Sequence, residues 1–414
     1  MLIVFDTATI PQQSFSVKAT RSSTDKTEWK CPTPEPQWIT ELLKAERRLQ
    51  FQDVVLQAGR HFSDKVNLGI TGPGSTERRL ATGIAWAILS MIRPYVKQDR
   101  LYVIDPIDQD VKRLCSEVLG VGIALEFLRR HCNVDGRTIR KIGSKVVARP
   151  GVAANRFDYE AFGVNGGQLV LIEAKGTFSD ASSSGHRGSI ADKILKLGLP
   201  RGYDRAIGII CSTWVFGENR PFDVQICDPE REPEDRTQEA VREVIRFYAK
   251  RFDETVGRPE GTRLLSAIAE DDDLFAPDRP PAVLKELFPD PRKPVTALWH
   301  NRVMLKHDGR EHEFWGNFWQ PDRLPIPLDL SVPAHLQARL KPGSRKAFMG
   351  VNRRIFELIR SRDFPGLLSY KAEDEGLWHS ESEDFVAVFH VDTYGVVRGI
   401  IEGELPMSVD LAQS

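Results

Sequence analysis

The sequence predicts an α/β fold, with strands and helices interleaved along one central segment, and three observations predict it. First, Arg156-Phe157-Asp158-Tyr159-Glu160, the turn Asn165-Gly166-Gly167 and the run Gln168 to Gly176 read as a β-hairpin. Both arms have strand composition, with Phe157 and Tyr159 before the turn and Leu169, Val170, Leu171 and Ile172 after it, and Asn-Gly is the strongest short hairpin signal. Second, Asp108 to Cys132 carries Leu114, Val118, Val121, Leu125 and Leu128 at helical spacing, an apolar stripe that must bury against another layer. Third, Ile190 to Leu197 is amphipathic, and Arg205 to Ser212 and Phe222 to Asp228 read as strands. Helix, hairpin, helix and strand thus fill residues 108–230, the expected central domain.

The flanks divide by composition. Residues 1–107, an N-terminal α/β region, hold an apolar start, a Pro-rich joint at Cys31 to Pro36, and helices over Trp38 to Leu49 and Ser75 to Val96. Gly72 to Glu77 lacks the spacing of a Walker or dinucleotide loop, so Ser75 or Thr76 serves as a plain N-cap. Residues 231–294 collect acids and then prolines from Pro277 to Pro294, and read as a helical and Pro-rich linker region. Residues 295–414 form an expected α+β domain for targeting or assembly: a strand from Val295 to Leu305, a turn at His307-Asp308-Gly309, the cluster Phe314, Trp315, Phe318 and Trp319, a basic helix from Arg345 to Arg362, and a closing hairpin from Phe385 to Ile401. Core packing accounts for Trp315 and Trp319 better than base stacking does.

A chain of 414 residues with 41% hydrophobic content is long and apolar enough for two or three packed domains. No apolar run reaches the roughly 18 residues of a membrane helix, and the N-terminus lacks the basic start of a secretory signal. Cys31, Cys115, Cys132, Cys211 and Cys227 are odd in number and scattered through apolar segments, the usage of a reducing compartment. The expectation is a cytoplasmic protein with no membrane partner.

The chemistry centres on the hairpin. With Asn165 and Gly166 as a two-residue loop, the pairing sets Asp158 directly across from Glu173. Opposed like charges destabilise a sheet, and the pair makes chemical sense with a divalent cation between them. Lys175 alternates to the same face as Glu173, and the Ala174 carbonyl is a further oxygen ligand. The plain alternative is a surface hairpin whose Glu and Lys form a solvated pair worth under about 1 kcal/mol.

Asp158 followed by Glu173-Ala174-Lys175 resembles the signature of the PD-(D/E)XK nuclease superfamily, with Phe157 in place of its proline. The likeness extends over residues 110–228 and implies a restriction-endonuclease-like core, a mixed central sheet flanked by helices. It further implies a glutamate on the first helix, matched by Glu117 beside Gly120, Gly122 and Ala124, with Glu126 on another face. It implies a polar residue on the second helix facing the site, matched by Lys193, and a metal set of Asp158, Glu173, the Ala174 carbonyl and Glu117. Carboxylate oxygens suit Mg²⁺, with Mn²⁺ as substitute, and such an ion lowers the pKa of bound water and clamps a phosphate oxygen. Lys175 would position that water or stabilise developing charge. The polar run Ser179 to Gly188 reads as a mobile loop at the mouth of the site.

The net charge of -1 conceals an asymmetry. From Arg129 to Arg156, eight bases face the single acid Asp135, and Arg187 and Lys193 continue the block beyond the hairpin. Arg137, Arg140, Lys141, Lys145, Arg156 and Arg187 are the expected phosphate contacts, with nucleic acid, DNA before RNA, as partner. The expected activity is a metal-dependent DNA endonuclease of the kind found in prokaryotic restriction or anti-phage defence, able to assemble with itself or a partner protein. An RNase, a non-catalytic nucleic-acid-binding module and a protein-interaction module remain as alternatives.

Overall fold

The computed structural model describes residues 2–10, 14–21, 41–42, 44–62, 88, 95–97, 99–102, 108–142, 157–164, 167–177, 203–212, 222–227, 236–253, 260–278, 284, 301–319 and 345–405. In chain order the elements are β1 (Leu2–Ile10), β2 (Ser14–Arg21), β3 (Arg47–Gln50), α1 (Phe51–Phe62), β4 (Tyr95–Lys97), β5 (Arg100–Tyr102), α2 (Gln109–His131), β6 (Arg140–Lys141), β7 (Tyr159–Phe162), β8 (Leu169–Thr177), β9 (Arg205–Ser212) and β10 (Phe222–Cys227). There follow α3 (Thr237–Asp253), α4 (Glu260–Glu270), β11 (Asn301–His307), β12 (Arg310–Trp319), β13 (Arg345–Asn352), α5 (Arg353–Ser361), α6 (Phe364–Ser369), β14 (Gly376–Glu381), β15 (Phe385–Val391) and β16 (Val396–Gly403). They form two compact units, one of Gln13–Gly69 and Leu80–Thr237, the other of Met1–Gln12, Ile70–Arg79 and Gln238–Ser414.

The first unit is built on a seven-stranded sheet of order β3-β2-β10-β9-β8-β7-β6. Two neighbouring pairs are parallel, β8 with β9 and β10 with β2, and the rest are antiparallel, so the sheet is mixed. Helix α2 starts where the sequence expects. Asp108 is its N-cap, accepting from the backbone N–H groups of Asp110 and Val111 at 2.9 and 3.0 Å. Arg129, Arg130 and His131 occupy its last turn, where cations complement the helix dipole. Val118, Val121, Leu125 and Leu128 of the expected stripe are buried, whereas Leu114 is exposed, because the helix turns its first two turns partly to solvent. Buried with them are Val54, Val55 and Ala58 of α1 and Val170, Ile172 and Ala174 of β8, a single core between helices and sheet. At Gly122 the two helices approach so closely that a Cβ would meet the Val54 carbonyl oxygen at 2.5 Å.

His131 gives this unit a pH dependence. Burial, aided by the charges of Arg47, Arg130 and Arg129 and opposed by a hydrogen bond to the Arg48 carbonyl, pushes its imidazole down from the ordinary 6.5 to about 4. Between those values the unfolded chain binds the proton that the folded chain refuses. Stability from this group is therefore complete above about pH 6.5 and is lost as pH falls toward 4. Urea unfolding from pH 7 to 4 is expected to show that decline, and His131→Gln to remove its share of the slope.

The second unit contains a closed barrel of order β1-β11-β12-β13-β16-β15-β14. Its core gathers Phe5, Phe314, Phe348, Trp378 and Phe389. The turn from β11 to β12 has Asp308 and Gly309 both at positive φ, 47° and 76°, the two-residue turn that matches strand twist. The expected basic helix from Arg345 begins instead as β13, paired with β12 on one side and β16 on the other. Helix begins only where the Asn352 side chain caps the Arg354 N–H. Trp315 is buried and stacked on Phe356 at 5.4 Å, in keeping with a core role. Residues 1–107, expected as one region, divide between the units: β1 joins the barrel, and β2, β3 and α1 join the mixed sheet. Within the expected linker, α3 belongs with the barrel, its Tyr248 hydroxyl donating to the Tyr394 carbonyl at 3.0 Å.

Candidate metal centre

Strands β7 and β8 pair with Tyr159 opposite Ile172 and Phe162 opposite Leu169. The ladder ends there, one step short of the Asp158–Glu173 pair that the hairpin reading expects. The regular ladder changes at that step. The Asp158 N–H donates to the Ile172 carbonyl at 3.1 Å, and the Asp158 carbonyl accepts from Ile142 N–H at 3.1 Å. The Ala174 N–H then donates to Asp158 Oδ2 at 3.2 Å. A strand residue sends its N–H and C=O from the same edge, so the Ala174 carbonyl also leaves β8 on the Asp158 side.

Alternation decides the faces. Tyr159, Ala161, Val170, Ile172 and Ala174 share the core with α2. Glu160, Leu171 and Glu173 take the opposite face. Glu173 is fully buried, at 0% exposure, and a carboxylate so placed is costly unless hydrogen bonds, a cation or a metal balance it. Asp158 is half-buried.

Glu117 is half-buried on α2. Its neighbour Ser116 lies against the end of β8, where a Cβ on Gly176 would meet the Ser116 carbonyl oxygen at 1.9 Å and Gly120 Cα at 2.8 Å. This contact is backbone against backbone and has no flexible side chain to yield. Gly176→Val is expected to separate strand and helix, costing on the order of 3 kcal/mol by overpacking, with a matching fall in the urea midpoint. Helix α2 therefore carries Glu117 on the core face of the sheet, across from the face of Glu173. Among the described residues, no group of three or more His, Cys, Asp or Glu side chains is placed to hold an ion. Glu126, fully buried, is held by Arg129 and Arg130. Lys175 lies in β8 opposite Ile210 of β9, while Lys193 and the polar run 179–188 lie outside the described residues.

The basic block separates on inspection. Arg137 is buried, its guanidinium forked on Asp135 through Nε to Oδ1 at 3.0 Å and Nη2 to Oδ2 at 2.8 Å. Burial in this turn removes Arg137 from the phosphate-tracking surface expected of it. Arg129 and Arg130 are likewise drawn inward, to Glu126 and Asp53. Arg140 keeps 49% of its side chain exposed and pairs with Glu160 at 2.6 Å, and Lys141 is half-buried in the same edge strand. Lys145, Arg156 and Arg187 lie outside the described residues.

Two residues not singled out from the sequence adjoin the pair. Glu160, two residues after Asp158, accepts from Arg140 Nε at 2.6 Å on Oε1 and from the Tyr203 hydroxyl at 2.6 Å on Oε2. Period-2 alternation from Asp158 would have found Glu160; nothing in the sequence links Tyr203 to it. Burial, followed by the bond to Glu160, pushes the Tyr203 hydroxyl well above the usual range, so it remains a donor. Next to it, Asp204 Oδ2 accepts from the Leu169 N–H at 2.7 Å and from Arg236 Nε at 3.2 Å, fixing the parallel start of β8 and β9.

The oxygen set fits a hard divalent cation: one or two carboxylates and a carbonyl suffice for Mg²⁺, whose remaining ligands are waters and substrate phosphate. Compared with known proteins, the chain matches no family model, no curated protein and no solved structure.

Proposed function

We propose that this chain is a Mg²⁺-dependent nuclease with a restriction-endonuclease-like core, hydrolysing phosphodiester bonds, with DNA as the favoured substrate. The observation that carries the reading is the hydrogen bond from the Ala174 N–H to Asp158 Oδ2, which brings the Asp158 carboxylate to the residue next to the buried Glu173. The sheet lends support: β6, β7 and β8 run antiparallel, β9 is parallel to β8, and α2 shares a core with β7 and β8. In this reading Asp158, Glu173 and the Ala174 carbonyl hold the ion, and Glu117 contributes only by reaching round the end of β8. The ion, when bound, supplies an activated water and neutralises a phosphate oxygen. Lys175 positions that water, and the burial of Glu173 fixes its carboxylate before substrate arrives. A place in prokaryotic restriction or anti-phage defence, with a self-assembling or partner-bound state, follows by analogy alone.

The test is direct. Purified protein is incubated with plasmid, linear duplex, single strands and RNA, each with Mg²⁺, Mn²⁺ or EDTA. Cutting of DNA that requires the metal is expected, and preferential cutting of RNA would reassign the substrate. A second reading, a non-catalytic nucleic-acid-binding module, is favoured by the hydrogen bond that gives Asp158 a structural role at the strand end. It predicts binding that is equal with and without metal and no product under any condition.

A further inference from the structure

We propose that Arg140, braced by Glu160 and Tyr203, contacts the phosphate next to the one cleaved, which makes Tyr203 a positioning residue of the site. The inference rests on the nuclease reading and adds a substrate contact to it. Arg140 of β6 stands directly opposite Glu160 of β7, and Glu160 stands opposite Leu171 of β8. Leu171 and Glu173 alternate to one face of β8, so Glu160 shares the face of Glu173, two residues or about 7 Å along the strand. That step is comparable with the separation of successive phosphates on a nucleic-acid strand. A phosphate held at Asp158 and Glu173 would therefore bring its neighbour to the row of Arg140.

Three features suit Arg140 to that contact. It lies on β6, the edge strand of the sheet, with half of its side chain exposed. Its charge cancels that of Glu160, which is 14% exposed and would otherwise add a third carboxylate repelling the anion. The other described arginines of the stretch are committed inward, Arg129 and Arg130 to Glu126 and Asp53, and Arg137 to Asp135. Tyr203 holds the other oxygen of Glu160 at 2.6 Å. With both oxygens engaged, Glu160 has one orientation, and so does the guanidinium it carries. This is the preorganisation that spares a flexible side chain its ordering cost on binding.

The experiment uses the full chain with Arg140→Gln, Arg140→Lys and Tyr203→Phe, reading kcat and KM for a labelled DNA duplex, the salt dependence of its binding in EDTA, and the melting temperature. Arg140→Gln is expected to raise KM about tenfold, the loss of one charge-assisted contact. It should leave kcat within about twofold and reduce the slope of log K against log salt by about one. Arg140→Lys should restore the salt slope but not all of KM, because a point charge lacks the braced fork. Tyr203→Phe should raise KM with kcat and the salt slope unchanged. Unaltered KM and slope in Arg140→Gln, while the unaltered chain cleaves, would overturn this inference alone. A parallel loss of kcat and melting temperature in Tyr203→Phe would overturn the positioning role. Failure of the unaltered chain to cleave any substrate with any metal would overturn the nuclease reading and this inference together.

Discussion

Asp158→Asn is expected to lower metal-dependent cleavage by at least on the order of a thousandfold while the folded chain persists. The choice of asparagine follows from two roles of this side chain. Its carboxylate is half of the proposed ion site, and its Oδ2 accepts the Ala174 N–H that closes the strand end. Asparagine keeps a carbonyl oxygen for that N–H and removes only the charge. Alanine removes both and adds a structural loss of about 1 kcal/mol for the unmade hydrogen bond, so its activity loss would be ambiguous. A thermal scan separates the roles further: Mn²⁺ should raise the melting temperature of the unaltered chain by mass action and leave that of Asp158→Asn where it was. Lys175→Ala should also abolish cleavage, with the Mn²⁺ shift retained. Continued cutting by purified Asp158→Asn would end the nuclease reading.

What could be read from sequence in advance divides along the range of the interactions. The hairpin register was legible because a two-residue loop and period-2 alternation leave one pairing, and Tyr159 opposite Ile172 realises it. Helix α2 was legible because its cap and its stripe are local, although the stripe gave no warning that Leu114 would face solvent. Interactions across hundreds of residues were not legible. Strands β1 and β2 are separated by a few residues yet join different sheets, because β1 is claimed by β11 and β14 and β2 by β10 and β3. The segment from Arg345 has the charges and Ala of a helix, and becomes a strand because β12 and β16 already flank it. Counting charge along the chain fails for the same reason. Arg137 has its acid two residues away, but Arg129 and Arg130 share Asp53, more than seventy residues earlier. Among the described residues a linear basic block therefore overstates the basic surface, while Arg140 keeps half of its side chain exposed.

Glu126→Gln is expected to destabilise the mixed-sheet unit by about 3 to 5 kcal/mol, the cost of breaking a buried ion pair by removing one partner. Glu126 is fully buried on α2, with Oε1 accepting from Arg129 Nη2 and Arg130 Nε at 2.5 Å each and Oε2 accepting from Arg129 Nε at 2.7 Å. Asp53 of α1 closes the quartet, its Oδ2 accepting from Arg130 Nη2 at 2.7 Å and Arg129 Nη2 at 3.1 Å. Burial pushes the Glu126 carboxyl up while the two guanidiniums pull it down, and the short contacts to both arginines favour the ionised form. Two acids and two bases then cancel inside the interface of α1 and α2. Glutamine leaves one guanidinium charge in excess and turns an amide N–H₂ toward groups that only donate. The effect should be read as a fall in the urea midpoint with an unchanged m-value. Because Asp53 bonds the same two arginines, Asp53→Asn combined with Glu126→Gln should be markedly non-additive, with a coupling of about 1 kcal/mol or more. Replacing the quartet by apolar residues of similar volume should recover much of the loss, since such pairs are weakly stabilising against a well-packed core. A midpoint shift in Glu126→Gln no larger than that of an exposed substitution, about 0.5 kcal/mol, would mean that the quartet does not hold the two helices together. The close approach at Gly122 would then have to do so.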